Sequence, residues 1–354
     1  MKIAITADIH LTSRERHPER FHALENILDQ LVDQEIKTLI IAGDLFDASC
    51  TTPGLFEDVV KKKKYANIEI YIIPGNHDPV LSQGTFSHPN IKYITTPQLI
   101  TFNKTIPFVF IPYTNASSIG ETLSGNQFKL EMGKWVLISH GDWLAGMGNK
   151  NQYEKGTYMP LSGREIQLYK PKKVFLGHIH AKTDSSVVHY PGSPCAIDPT
   201  ETGYRSFLIL DSNTLQVSRN GVEADYLFFN EQFTVLPLDE EATYVKTLLS
   251  ERIKAWNIPS ADQSKVRVRI KARGFSRDRH ELDKVIRGLI KDYQFADNDQ
   301  PDISQVKISN DQTQGMIAEL VKEKIDLIKW DSKTDEPDKD DLLLVAMNMI
   351  YGGK

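Results

Sequence analysis

The sequence predicts an α/β domain, followed by a smaller α+β domain and a C-terminal helical tail. Up to about residue 212, short apolar runs alternate with longer amphipathic patterns, as strands alternate with helices. The runs are apolar at nearly every position, which is typical of strands buried on both faces. At 354 residues, the chain is also longer than one hydrophobic core usually supports. We therefore assign residues 1–220, 221–310 and 311–354 to three successive regions.

The first region contains the elements expected of an α/β domain. Ile3–Thr6 is the first predicted strand, and a helix is predicted over Glu19–Gln34 because its apolar residues repeat with helical spacing. The residues on that helical face are Phe21, Leu24, Ile27, Leu28, Leu31 and Val32. After the Pro53-Gly54 break, a second helix is predicted over Leu55–Tyr65. The other predicted strands are Thr38–Ala42, Ile68–Ile73, Phe108–Pro112, Trp135–Ser139, Val174–Leu176, Val187–Tyr190 and Phe207–Leu210.

The second region begins with a predicted connection, from about Asn220 to Pro237. Helical patterns follow at Tyr244–Trp256 and Arg279–Tyr293, with a strictly alternating strand between them at Lys265–Arg273. A last strand is predicted at Ile303–Ile308. This strand–helix–strand order predicts a small α+β domain.

The tail contains two predicted helices separated by an acidic stretch. The first carries its apolar residues on one face: Ile317, Leu320, Val321, Ile325 and Ile328. Asp331–Asp341 holds six acidic residues and two lysines, as expected of a mobile tether. The second helix, Leu342–Ile350, is too apolar to remain in water. It would either fold back on its own domain or dock on a partner, and we favour the partner.

Composition excludes several classes of protein. The net charge of −5 excludes a uniformly basic nucleic-acid binder. No apolar run approaches the roughly 20 residues of a membrane span, and the N-terminus lacks a signal-peptide layout. Two cysteines, Cys50 and Cys195, do not make a disulfide framework. We expect a soluble, cytoplasmic protein without membrane contact.

Metal-ligand side chains recur where the predicted strands end. In open α/β sheets, functional groups gather beyond the carboxyl ends of strands. The five groups are Asp8 with His10, Asp44 with Asp47, Asn76 with His77, His140, and His178 with His180. Carboxylate, imidazole and amide ligands suit Mn²⁺, Mg²⁺, Fe or Zn²⁺, and the lack of thiol ligands argues against a structural zinc site. Seven ligands of these types are too many for one ion and fit two ions that share a carboxylate. We choose Asp44 as the bridge because it lies in the central group.

These residues resemble the calcineurin-like metallophosphoesterase superfamily. Its pattern is D-x-H, G-D-x-x-D, G-N-H-D or G-N-H-E, an isolated H and G-H-x-H, and all five elements stand here in order. The resemblance implies a β-sandwich flanked by helices. It also implies that Asp8, His10 and His180 hold one metal, that Asn76, His140 and His178 hold the other, and that Asp44 bridges them. His77 would face the scissile phosphate without binding metal, and Asp47 would orient it.

Further elements are similar to one branch of the superfamily, the SbcD-type nuclease subunit of double-strand-break repair complexes or a phage relative. The similar elements are Gly43–Asp47, Tyr190–Pro194 and the second region as a capping domain. This resemblance implies two Mn²⁺ per subunit, with Mg²⁺ as a possible substitute. It implies 3′→5′ exonuclease and endonuclease activity on duplex ends and single strands of DNA. The implied partners are an SMC-like coiled-coil ATPase and a second copy of the chain, in a homodimer.

Two basic segments are candidates for contact with DNA. The alternation in the predicted strand puts Arg267, Arg269, Lys271 and Arg273 on one face, and residues 245–291 carry a net charge of +8. A half-buried strand with a solvated basic face is an equally good interpretation. Lys61–Lys64 is better interpreted as a solvated helix end.

Two other functions remain open from the sequence. One is a phosphodiesterase or phosphatase for a small molecule, which would need neither a second domain nor a basic face. The other is a non-catalytic scaffold, which would not need the complete set of ligands. Asp78 either belongs to the site or braces its loop.

Overall fold

The structure, a computed structural model, describes residues 1–50, 53–78, 81–102, 106–126, 128–144, 156–296, 300–329 and 339–352. The chain divides into two compact units. The first contains Met1–Ile197 and Tyr204–Asp225, and the second contains Asp198–Gly203 and Tyr226–Lys354. The first unit ends at residue 225, five residues after the predicted boundary at 220. Residues 311–354, predicted as a separate region, are part of the second unit.

The first unit contains twelve strands and four helices in its described part. They are β1 (Lys2–Thr6), α1 (Pro18–Asp33), β2 (Thr38–Ala42), α2 (Gly54–Val60), β3 (Glu69–Ile73), β4 (Ile91–Tyr93), β5 (Gln98–Thr101), β6 (Pro107–Ile111), α3 (Ile119–Gly125), β7 (Val136–His140), α4 (Gly163–Tyr169), β8 (Lys173–Gly177), β9 (Thr183–Asp184), β10 (Val188–Tyr190), β11 (Ser206–Asp211) and β12 (Val217–Gly221).

These strands form two six-stranded sheets, in the orders β12-β11-β1-β2-β3-β4 and β5-β6-β7-β8-β10-β9. Neighbours from β1 to β4 are parallel, as are β6, β7, β8 and β10. Ile5 and Ile40 of one sheet share a buried cluster with Phe110 and Ile138 of the other. The opposite faces are covered by α1 and α2 on the first sheet and by α3 and α4 on the second. This confirms the predicted α/β sandwich flanked by helices.

Some local predictions differ from the structure. Val32, predicted on the apolar face of α1, is 40% exposed, because it lies at the edge of that face in the last turn. The predicted helix 55–65 ends at Val60, and a short 3₁₀ helix, Lys63–Tyr65, follows. The sequence pattern does not predict the strands β4, β5, β9 and β12. Each has five residues or fewer, and β5 and β12 have no fully buried residue.

The second unit is a sheet with helices between its strands. Its elements are β13 (Leu227–Val235), α5 (Glu241–Ala255), β14 (Val266–Ser276), α6 (Arg279–Leu289), β15 (Gln294–Phe295), β16 (Asp302–Ile308), α7 (Gln312–Asp326) and α8 (Lys339–Tyr351). The predicted connection at 220–237 is wrong over β13, which pairs with β14 through nine residues. Glu231 and Gln232 interrupt its apolar alternation and hide the strand in the sequence. Every described pairing in this sheet is parallel, so helices connect its neighbouring strands.

The C-terminal helix α8 packs against its own unit, which corrects the expectation of a helix held away on a tether. Met347 is fully buried in a cluster with Leu236 and Phe275. At the start of the helix, Asp340 accepts hydrogen bonds from Thr234 and, at 2.5 Å, from Arg252. Burial of Leu343 and Met347 therefore attaches one face of the helix to the chain's own unit. Most of the predicted acidic tether, from 331 to 338, lies outside the described residues.

In the described part of the chain, no helix combines the length and the hydropathy that a membrane span requires.

Candidate metal centre

The predicted ligands lie together at one edge of the first unit, beyond the carboxyl ends of five strands. Three of these strands, β1, β2 and β3, are neighbours in the first sheet, whereas β7 and β8 are neighbours in the second. Main-chain hydrogen bonds join the loops within each set. The Asp8 N–H donates to the Gly43 carbonyl at 3.0 Å, and the Gly141 N–H donates to the Gly177 carbonyl at 3.2 Å. The site therefore forms where the two sheets meet.

One half of the site consists of Asp8, His10 and His180. The Nε2 atoms of His10 and His180 are 3.2 Å apart, and one ligand atom of each of the three residues lies within 4.8 Å of the others. Ligands at about 2.1 Å from one ion lie roughly 3 Å apart. The geometry thus suits one ion, as the resemblance implied.

The other half consists of Asn76, His140 and His178. The Asn76 Oδ1 atom is 2.8 Å from His140 Nε2 and 3.1 Å from His178 Nδ1. These three atoms belong to three different loops and converge on one point. They suit a second ion that prefers mixed oxygen and nitrogen ligands.

Asp44 lies between the two halves. Its Oδ2 atom is 3.6 Å from His10 Nε2 and 3.4 Å from His140 Nε2, while its Oδ1 accepts the main-chain N–H of His77 at 2.8 Å. Among the described residues, the buried Oδ2 atoms of Asp8 and Asp44 have no hydrogen-bond partner. Buried carboxylate oxygens without donors are expensive unless a cation compensates them. The residues therefore fit two divalent cations with Asp44 as the shared ligand.

The backbone of this site is unusual. Asp8, His10, Asp44 and His178 have φ angles of 56°, 51°, 50° and 95°. Non-glycine residues rarely adopt this left-handed region, which costs of order 1–2 kcal/mol for each residue. Strain of this kind concentrates at functional sites because the surrounding structure enforces it. The fold thus holds four of the seven predicted ligand residues in backbone conformations that are unfavourable for non-glycine residues.

Gly43 is required because the loop after β2 passes very close to the side chain of His140. Its φ is +91°, and a Cβ atom there would lie 2.1 Å from His140 Nδ1. Only glycine leaves space for the imidazole to stand against this turn. His140 Nδ1 lies 3.0 Å from the Ala42 carbonyl oxygen, which fixes the ring with Nε2 toward Asn76 and Asp44.

Burial and charge set the protonation of the ligands. Burial raises the pKa of Asp8 to about 6 and lowers the pKa values of His10 and His178 to about 3. Burial alone would raise the pKa of Asp44 and lower that of His140. The attraction between the two outweighs it, so the pKa of Asp44 is held well below its usual range and that of His140 rises to about 9. A cation bound by His140 would have to displace this proton, because histidine binds metal in its neutral form.

The two residues predicted for catalysis lie at the edge of this cluster. The His77 ring is half-buried and contacts the His10 ring edge to face, with 4.9 Å between centroids. Asp47 Oδ1 accepts hydrogen bonds from Ser49, from N–H at 2.9 Å and from Oγ at 2.6 Å. These bonds outweigh burial and lower the pKa of Asp47. Its role toward His77 stays a prediction.

Asp78 braces two of the loops, as one of its two interpretations proposed. Its carboxylate accepts the Phe46 N–H and the Gly75 N–H, both at 2.7 Å. Burial and the nearby Asp44 raise the pKa of Asp78 to about 7.

Sequence reasoning missed several residues around the site. Asp142 is buried, accepts the Tyr158 N–H at 2.7 Å and places Oδ1 3.7 Å from His178 Nε2. The rings of Tyr158 and Tyr113 lie 4.8 Å from His178 and 6.0 Å from His140, between centroids. Tyr113 follows β6, so the rule that found the ligands at strand ends would also have found it.

The predicted DNA contacts lie in the second unit and have mixed environments. Arg267, Arg269 and Lys271 are half-buried on one face of β14. Arg273, on the same face, forms an ion pair with Asp341 of α8. Arg269 and Lys271 line a cleft of about 1170 Å³ together with acidic residues. Those acidic residues are Glu231, Asp283 and Asp302.

The Lys61–Lys64 run is largely engaged in ion pairs. Lys61 pairs with Glu57, Lys62 with Glu25, and Lys64 with Asp29, the last at 2.5 Å. These pairs support the solvated-helix interpretation over contact with DNA.

A sequence model of the calcineurin-like phosphoesterases matches residues 1–182. The chain belongs to this family. The matched residues contain every predicted ligand, including the G-H-x-H element at 177–180. The family establishes a phosphoesterase fold with metal-dependent hydrolase chemistry for the first unit.

Within the calcineurin-like phosphoesterases, this chain is similar to DNA repair proteins at low identity. It is 24% identical to DNA double-strand break repair protein Mre11 of Saccharolobus solfataricus over 234 residues, 58% of each chain. It is 25% identical to the SbcD component of nuclease SbcCD of Bacillus subtilis over 265 residues, 60% of this chain and 66% of that protein. A shorter match to Mre11 of Methanosarcina mazei is 37% identical over 86 residues, 22% of this chain and 14% of that protein. Each match spans less than two thirds of the relative.

Proposed function

We propose that the chain is a two-metal-dependent DNA nuclease, acting as a 3′→5′ exonuclease and endonuclease in the processing of DNA ends for repair and recombination. The observation that carries this proposal is the position of Asp44. Its Oδ2 lies within 3.6 Å of a ligand nitrogen from each half of the site. A shared carboxylate between two ligand sets is the arrangement used for in-line displacement at phosphorus.

The residues assigned to each ion follow from the two halves of the site. One Mn²⁺ would be held by Asp8, His10 and His180, and the other by Asn76, His140 and His178. When bound, the ions would activate water and neutralise charge on the phosphate, and Mg²⁺ could substitute. Because His10 and His178 are held neutral by burial, their nitrogens need not lose protons before binding.

His77 supplies the proton in this proposal. Its ring lies beside that of His10, and its main-chain N–H, not its ring, donates to Asp44. An imidazole at this position can donate a proton to the leaving oxygen as the phosphodiester bond breaks. Asp47 would orient the imidazole.

Three observations support DNA as the substrate. The matches to the Mre11 and SbcCD proteins cover about 60% of the chain. Tyr113 and Tyr158 present half-exposed rings next to the histidines of the second ion, and such rings stack on unpaired bases. Arg267, Arg269 and Lys271 offer a row of positive charge for phosphates.

An SMC-like coiled-coil ATPase is the proposed partner, and the second unit offers an apolar surface for it. The α7–α8 surface, defined as the exposed apolar residues of these helices, contains Met316, Ile317, Leu320, Val345 and Met349. Exposed apolar patches of this kind mark interfaces. Serine at Leu320 and Met349 should abolish co-purification with the ATPase and leave cleavage of short DNA unchanged. A homodimer and a cytoplasmic location belong to the same proposal.

The decisive experiment compares two substrates with Mn²⁺. Linear duplex DNA and a small chromogenic phosphodiester are incubated with the purified chain, and Asp44→Asn serves as the inactive control. The proposal expects Mn²⁺-dependent cleavage of DNA that Asp44→Asn lacks. Hydrolysis of the chromogenic compound without cleavage of DNA would favour a small-molecule phosphodiesterase, and inactivity on both would favour a scaffold.

A further inference from the structure

The two histidines assigned to the first ion are both held by buried arginines that come from elsewhere in the chain. The main-chain carbonyl of each histidine accepts a hydrogen bond from one guanidinium. Arg20 donates to His10, and Arg205 donates to His180. Both arginines are more than nine-tenths buried. Burial of a guanidinium is unfavourable unless its N–H groups find acceptors. The two histidine carbonyls are among the acceptors here.

Arg20 fixes the first histidine from helix α1. Its Nη1 donates to the His10 carbonyl at 2.5 Å, while the His10 N–H donates to the Asp44 carbonyl at 3.0 Å. His10 is therefore held at both main-chain groups while its backbone has a φ of 51°. Without the arginine, relaxation toward an ordinary conformation would turn the imidazole away from His180.

Arg205 fixes the second histidine from the segment just before β11. Its Nη2 donates to the His180 carbonyl at 2.7 Å and to the Ser193 hydroxyl, and its Nε donates to the Ser193 carbonyl at 2.9 Å. Gly192 allows this closure, because its φ is +78° and a Cβ atom would lie 2.7 Å from the His180 carbonyl oxygen. The fork of the guanidinium thus ties the loop at 191–194 to the histidine.

We propose that Arg20 and Arg205 are positioning residues that pre-organise His10 and His180 for the first metal ion, and so set its affinity separately from that of the second. This inference rests on the proposed two-metal centre. Each guanidinium bonds to the histidine's carbonyl oxygen, so it acts through the main chain. The outer partners of metal ligands typically contribute about 10–100-fold to affinity. Of the second ion's two histidines, His140 is oriented by the Ala42 carbonyl instead.

Arg219 provides a matched control. It also donates to main-chain carbonyls, those of Thr183 in β9, Tyr190 in β10 and Pro191 in the 191–194 loop, and it pairs with Asp184 at 2.6 Å. These four residues are not assigned to either ion. Arg219→Ala should therefore lower stability without changing the ratio of the two metal affinities.

The experiment titrates the whole 354-residue chain with Mn²⁺, by calorimetry and by electron paramagnetic resonance, without any DNA. The wild type should bind two ions per chain and give the spectrum of a coupled pair. Arg20→Ala and Arg205→Ala should each weaken one site by about 10–100-fold. At subsaturating Mn²⁺ they should show the spectrum of an isolated ion. Arg20→Lys should restore the pair, because one donor suffices there, whereas Arg205→Lys should not, because it cannot form the fork.

The outcomes separate this inference from the proposed function. Two ions bound with wild-type affinities in both alanine variants would overturn the role of the arginines and leave the metal centre intact. An equal loss in Arg219→Ala would also overturn it, because general loosening of the loops would then explain the effect. A wild-type protein that binds no Mn²⁺ would overturn both.

Discussion

The metal centre of the first unit and the basic face of the second unit differ in how their side chains are held. At the metal centre, ligands from five loops converge, and Asp8, Asp44 and His140 are each no more than 1% exposed. On β14, four basic side chains come from one strand and are half-buried. The first arrangement is fixed by main-chain geometry, and the second depends on whatever lies beside the strand.

A sequence therefore supports the prediction of a metal centre better than the prediction of a basic binding face. A metal centre needs particular atoms at about 3 Å spacing, so its residue types and their order are restrictive. A basic face needs only charge, which neighbouring residues can cancel. Arg273 shows this, because Asp341 pairs with it, and Asp302 and Glu231 line the cleft beside Lys271.

The largest effect is expected from Asp44→Ala. In the proposed nuclease, both halves of the site would lose their shared ligand, so Mn²⁺-dependent cleavage of linear DNA should fall by at least about 10³-fold in kcat. Asp29→Ala removes an exposed carboxylate of the same unit that pairs with Lys64, and it should leave kcat unchanged. Near-normal turnover in a folded Asp44→Ala protein would remove the centre from the mechanism.

His77→Ala tests the same region without removing a ligand. The contact with Asp44 is made by the His77 main chain, so alanine keeps it. We expect kcat to fall by roughly 10²–10⁴-fold while calorimetry still detects two bound Mn²⁺ ions. Loss of metal binding in this variant would mean that His77 is a ligand and not an acid.

Two methionines of α8 test how the second unit is held together. Met347 is fully buried, whereas Met349 is 79% exposed on the same helix. Met347→Ala should lower the free energy of unfolding by about 2–5 kcal/mol, because it leaves a cavity beside Phe275. Met349→Ala should change it by less than about 0.5 kcal/mol. Urea unfolding measures both, and equal small effects would show that α8 is detached in solution.

The smallest effect concerns the basic face. Serine at Arg267, Arg269 and Lys271 should weaken binding to duplex ends, and each lost phosphate contact should reduce the log–log salt slope by about 0.9. Arg273→Ser should leave the slope unchanged, because its guanidinium pairs with Asp341. Fluorescence anisotropy across a salt series distinguishes them. A slope that all four variants preserve would assign the face to solvation alone.

The fold of the first unit was readable from its sequence because its central strands are buried on both faces. Runs such as Thr38–Ala42 are apolar throughout, and β2 has those same bounds in the structure. The second unit was harder, because β13 contains Glu231 and Gln232 in mid-strand, and the long-range pairing with β14 overrides that local pattern. The direction in which α8 would pack was also undetermined, since an apolar helix fits its own core as well as a partner.

The sequence by itself determined the identity and order of the candidate ligands, because the chemistry of a two-metal site restricts the residue types that can follow the strand ends. Only the tertiary structure decided that the ligands come from two different sheets, that Asp44 lies between them, and that Arg20 and Arg205 hold two of the loops. Contacts of this kind join residues far apart in the chain, such as His180 and His10, which are 170 positions apart. No local pattern encodes such pairings, because they arise only when the sheets pack face to face.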